Sequence, residues 1–138
     1  MNKITIKTNI KEHISIVWEK FTNPKHIVKW NNASEDWHTT KAENDLQVGG
    51  KFVSRMEAKD GSFGFDFEGV YTTVKNNNYL EYKIADGRNV SVYFEEDNDT
   101  TTVTEVFEPE NINTVEMQQV GWQAILDNFK KSYLFRFR

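Results

Sequence analysis

The sequence predicts an α+β fold: a curved antiparallel sheet closed by one long C-terminal helix, in the order β-α-α, five or six strands, then α. Two observations carry this. Between Asn113 and Leu134 there is no proline, and Val115, Trp122, Ile125, Leu126, Phe129 and Tyr133 recur at helical spacing on one face. Ahead of that stretch, turn signals recur roughly every ten residues between alternating apolar runs, the rhythm of an antiparallel meander. A helix of this length needs a broad surface to lie on, and the strands supply it.

The elements follow in order. Ile4, Ile6 and Ile10 alternate with Lys3, Thr5, Lys7 and Asn9, which predicts a first strand with one buried face. Ile14, Val17, Trp18 and Phe21 switch to helical spacing. Asn23-Pro24 restarts the chain, with Asn23 as cap and Pro24 at the first helical position of a short second helix carrying Ile27, Val28 and Trp30. Asn31 to Asp45 reads as polar and irregular apart from Trp37.

Gly49-Gly50 opens the main sheet. Phe52, Ser54, Met56 and Ala58 share one face, and Asp60-Gly61 is a hairpin signal. Phe63, Phe65, Phe67, Gly69 and Tyr71 share one face of the next strand. After Asn76-Asn77-Asn78 come Leu80, Tyr82 and Ile84. Asp86-Gly87 leads to Val90, Val92 and Phe94, and Asp97-Asn98-Asp99 leads into Thr101 to Phe107. Pro109 ends the last strand, and Asn113 or Thr114 caps the long helix. That helix sets Glu116, Gln119, Gln123, Asp127, Lys130 and Lys131 opposite its apolar stripe. A second stripe of mostly smaller groups, Met117, Gly121, Ala124 and Asn128, lies beside it. The tail from Tyr133 to Arg138 alternates aromatic and basic groups.

Composition narrows the function. The 138 residues suggest one domain over 1–138, large enough for a real core, and ten phenylalanines with four tryptophans supply its volume. A net charge of −4 without a basic stripe argues against a nucleic-acid partner. With no cysteine, disulfides and thiolate chemistry are excluded. No apolar run approaches the roughly 20 residues of a membrane span, and the N-terminus lacks a signal-peptide core, so the expected location is the cytoplasm.

Particular residues then resemble a known family. Val17-Trp18, Asn23-Pro24 followed by Trp30, Val48-Gly49-Gly50-Lys51-Phe52 and Phe67-Glu68-Gly69 come first, with Val74 and Leu80-Glu81-Tyr82 after them. Thr102-Val103-Thr104-Glu105 and Gly121-Trp122, with Leu126 and Phe129 behind, complete the series. In this order and spacing they resemble the helix-grip fold of the START-like (SRPBCC) superfamily. Within it the chain is similar to the activators of the 90-kDa heat-shock protein ATPase. The resemblance covers nearly the whole chain and implies a hydrophobic-ligand cavity, a chaperone partner and a stress-response role as expectations.

The candidate ligand site is the space between sheet and long helix. An inner face carrying Phe52, Met56, Phe65, Phe67, Tyr82, Ile84, Val92 and Phe94 makes an aromatic wall, closed by Trp122, Ile125 and Phe129. Either these side chains fill the space, as tight interiors do, or they leave a cavity for a lipid-like or aromatic molecule. Strict alternation sets Glu105 on the inner face beside Val103 and Phe107, with Tyr82 and Arg55 as partners to consider; a register change would instead turn it to solvent. Gly69 suits a bulge or a bend in a curved sheet, and Gly121 suits close approach of the helix to another backbone.

Neither His38 with Glu35 and Asp36 nor the turn at Asp97 and Asp99 has metal-ligand spacing, so no metal and no cofactor is expected. Catalytic signatures such as Gly-x-Ser-x-Gly or a phosphate-binding glycine loop are absent, and no catalytic residue is assigned. The leading expectation is a non-catalytic binding protein. The alternatives are a chaperone-associated protein and, because enzymes of this fold work through dispersed polar groups, a cyclase- or dehydratase-like enzyme.

Overall fold

A computed structural model describes residues 2–135. Seven antiparallel strands form one curled sheet in the spatial order β1-β7-β6-β5-β4-β3-β2. They are β1 (Ile4–Ile10), β2 (Trp37–Asn44), β3 (Lys51–Ala58), β4 (Gly64–Lys75), β5 (Tyr79–Ile84), β6 (Asn89–Asp97) and β7 (Thr100–Phe107). Helices α1 (Ile14–Thr22) and α2 (Pro24–Trp30) follow β1, and α3 (Val115–Lys131) follows β7 and runs on into a 3-10 turn, Ser132–Phe135. This is the helix-grip arrangement. Residues 136–138 of the aromatic-basic tail lie outside the described residues.

Alternation builds the sheet. Every second residue of β1 and of β7 is buried, and those residues face the same core. At the hairpins the chain takes positive φ at Gly61 and Gly87, and at Asn77 and Asn98, the residue types that tolerate it. Asn23 caps α2 by accepting from the Lys25 amide at 2.9 Å. Thr114, of the two cap candidates, caps α3 by accepting from the Met117 amide at 3.1 Å.

Four expectations need correction. The polar stretch after α2 contains a strand, β2, because pairing with β3 from Trp37↔Ala58 to Asn44↔Phe52 holds it in place. Tertiary pairing here overrides a sequence that lacks apolar alternation. The register shift in β4 falls between Tyr71 and Thr73, not at Gly69. Gly69 is instead needed for space: a Cβ there would come within 2.8 Å of the Phe52 ring and 2.7 Å of the Lys83 carbonyl oxygen.

Val115 does not join the buried face of α3, and Met117 in the second stripe is exposed too. Ile112 and Val120 are exposed likewise, and the fully buried apolar side chains of α3 are Leu126 and Phe129. Gly121 approaches no other backbone, since a Cβ there meets nothing within 4 Å. Gly121→Ala is therefore expected to stabilise the protein by about 1 kcal/mol, the helix-propensity difference, as read by urea denaturation. An unchanged or lower midpoint would show that the position is under a constraint other than space.

The polar face of α3 has its own task. The side-chain amides of Gln119 and Gln123 donate to the carbonyls of Thr5 (3.5 Å) and Lys7 (3.1 Å) on β1, the outermost strand. At the other end of the helix, the Asn128 amide donates to the Trp30 carbonyl at 2.7 Å and ties α3 to α2.

A cavity between sheet and helix

The inner faces of β2, β3, β4, β5 and β7 and the helices α1, α2 and α3 line a partly open cavity of about 330 Å³. The core therefore does not fill the concave face completely. Eight of the ten expected residues line the cavity: Phe52, Met56, Phe65, Phe67, Tyr82, Glu105, Trp122 and Ile125. Their placement follows from period-2 alternation in the strands and the i, i+3 spacing of Trp122 and Ile125 on the helix.

The other two, Val92 and Phe94, are buried but do not line it. Phe94 packs edge-on against Trp18 at 5.1 Å and Phe21 at 5.3 Å, so α1 covers this part of the sheet. Phe21, Ile27 and Trp30 add a wall from α1 and α2 that the strand pattern alone does not suggest.

The aromatic rings hold one another in place. Phe52 lies 4.8 Å from Tyr82 and 5.3 Å from Tyr71, ring centre to ring centre. Trp122 stacks flat on Phe107 at 3.9 Å and meets Phe67 edge-on at 6.2 Å. Side chains braced in this way cannot easily turn inward to fill the void. Phe65 is partly exposed and sits 6.0 Å from Trp37, which is also 6.0 Å from Phe63, so an aromatic rim continues from the lining onto the surface.

Polar groups are few. Glu105 is only 9% exposed. The pairing of β7 with β1 and with β6 is unbroken through Glu105, so the strand keeps it on the inner face rather than turning it to solvent. Burial pushes its carboxyl from an ordinary 4.5 up to about 7. Among the described residues it has no hydrogen-bond or ion-pair partner. Arg55 is not available to it: its side chain binds Glu57 at 3.0 Å and Asp66 at 3.4 Å on the outer face.

Tyr82, the other suggested partner, lines the same cavity, and burial followed by the Glu105 charge pushes its hydroxyl well above the ordinary value. Tyr71 donates to the Asn44 side-chain oxygen at 2.7 Å, and the Asn44 amide donates to the Thr22 carbonyl at 2.6 Å. Arg88, at the rim, donates to Asp86 at 2.9 Å and to the Glu108 carbonyl at 3.0 Å. Tyr71 and Leu80 extend patterns visible in the strands. Asn44 and Arg88 carry no signal in the sequence, because only the folded chain brings them to the cavity.

No group of three or more His, Asp or Glu side chains among the described residues is arranged to hold a metal ion. No helix among them is long and apolar enough to cross a membrane.

Comparison with known proteins agrees with this architecture. An AHSA1-like protein from Aeromonas hydrophila is 47% identical, with a TM-score of 0.89 over 94% of this chain and 90% of that one. A protein from Cytophaga hutchinsonii is 50% identical, with a TM-score of 0.85 over 97% and 92%. The Aha1 dimer from Colwellia psychrerythraea shares the fold at 17% identity and a TM-score of 0.74, over 96% of each chain. No curated protein matches the chain. The family model described as "Activator of Hsp90 ATPase homolog 1-like protein" matches residues 13–133, and the chain belongs to that family.

Proposed function

We propose that the protein is a non-catalytic carrier or sensor that binds an apolar, aromatic or lipid-like small molecule between the sheet and α3. The observation that carries this reading is the aromatic-walled cavity of about 330 Å³. It is close to the lower end of the roughly 300–1,000 Å³ typical of small-molecule sites, which are mostly apolar with a few placed polar groups. A ligand that binds only the native state raises its melting temperature, by an amount equivalent to about 2.7 kcal/mol at a hundred times Kd. A neutral apolar fluorescent probe such as Nile red and a set of medium-chain alcohols and flat uncharged aromatics are expected to raise Tm. Met56→Trp, which fills the space, is expected to abolish the shift. A library without any shift ends the cavity reading.

A second reading, association with a chaperone of the 90-kDa heat-shock class, draws on the family description and on the apolar side chains at the start of α3. Ile112, Val115, Met117 and Val120 are all exposed, more than isolated surface residues require. Stimulation of the purified chaperone's ATPase by the wild type, lost in a Met117→Glu, Val120→Glu variant, supports it; no stimulation at a large molar excess rejects it. The cyclase- or dehydratase-like alternative is carried by Glu105 alone.

A further inference from the structure

Glu105 is the one carboxylate buried in the cavity wall, and among the described residues nothing neutralises it. An ionised carboxylate in such a place is costly unless a cation or several donors meet it. The described residues offer neither. The rings of Phe52, Tyr82 and Trp122 line the same cavity, and aromatic rings attract organic cations.

The other ionisable groups around the cavity do not compete. The Tyr71 and Tyr82 hydroxyls are kept neutral by burial. The Arg88 guanidinium is engaged by Asp86 and by the Glu108 carbonyl. Glu43, at the rim, pairs with Lys41 at 3.2 Å. The net charge of −4 also favours the approach of a cation over that of an anion.

We propose that the cavity selects organic cations: an amine or amidine on an aromatic or aliphatic body, its charge seated on Glu105 and its body against the rings of Phe52, Tyr82 and Trp122. This rests on the binding reading above and narrows it to one ligand class. In the empty protein Glu105 holds a proton to near neutrality, and an entering ammonium group displaces it. Binding is thereby coupled to proton release. Below neutrality the ligand competes with a proton, so affinity falls as the solution becomes more acidic.

The test uses three probes of one shape: 2-naphthylmethylamine, 2-naphthalenemethanol and 2-naphthoic acid. Calorimetry near pH 8 is expected to show the amine binding at least about tenfold tighter than the alcohol, with the acid weakest. Glu105→Gln, an isosteric change, is expected to erase the amine's advantage and to leave the alcohol within about threefold of its wild-type affinity. In buffers of different ionisation enthalpy, amine binding near pH 6 is expected to release about one proton, and near pH 8 almost none.

An alcohol or acid that binds the wild type as tightly as the amine overturns the proposal, as does an amine advantage that survives in the variant. Should Glu105→Gln fail to fold, the wild-type ranking and proton release decide alone. If the alcohol binds without preference for the amine, only the cation proposal fails. If none of the three binds, the cavity reading fails with it.

Discussion

Phe129→Ala is expected to destabilise the protein by about 3–5 kcal/mol, the usual cost of truncating a core aromatic. Phe129 has no exposed surface. Its ring meets Trp30 at 4.8 Å, Phe21 at 5.4 Å and Tyr133 at 5.4 Å, so it lies where α1, α2 and the end of α3 converge. Removing it takes a partner from three rings at once and opens a void beside the cavity. Surrounding side chains held by their own packing can collapse into that void only in part. Urea denaturation measures the loss. A change within about 0.5 kcal/mol, the range of surface substitutions, would mean that α3 is not anchored at this point.

The second large effect is a pH dependence set by Glu105. Its folded carboxyl holds the proton up to about 7, against an ordinary value of 4.5. Between those values the native state binds more protons than the unfolded chain, so stability falls as pH rises through the window. The contribution is complete below 4.5, is lost by about 7, and does not change above that. Glu105→Gln cannot ionise and is expected to lack this dependence. Near pH 4 it should match the wild type, and near pH 8 it should be more stable by about 3 kcal/mol. Denaturation curves of the two proteins at both pH values provide the check. A constant offset between them would mean that Glu105 titrates alike in both states.

These two residues also show how far the sequence could be read. Phe129 and Glu105 stand out by spacing alone, one on a helical stripe and the other in an alternating strand, because each periodicity maps directly onto a buried face. Strand β2 does not stand out: Trp-His-Thr-Thr-Lys-Ala-Glu-Asn has too few apolar residues to show a period, and its pairing with β3 is a property of the fold. Val115 misled because it keeps the helical spacing although α3 begins exposed, from Val115 to Met117. The cavity wall was legible where strands formed it and incomplete where α1 and α2 supplied Phe21, Ile27 and Trp30. Phe94 shows the same limit from the other side, being on the correct face but beneath a helix whose angle of approach no local pattern encodes.

The two glutamine contacts from α3 to β1 bear on how this protein fails. An outermost strand offers bare carbonyl and amide groups to any other extended chain, and β1, with isoleucine at positions 4, 6 and 10, has the composition of a fibril-forming segment. Gln119 and Gln123 occupy two of those carbonyls, so a docked helix denies them to a second molecule. Pairing of β1 with a second molecule at these carbonyls therefore requires release of α3 but not global unfolding. Gly121→Ala, which strengthens the helix, is expected to lengthen the lag before aggregation, and Phe129→Ala, which loosens its anchor, to shorten it, as followed by light scattering.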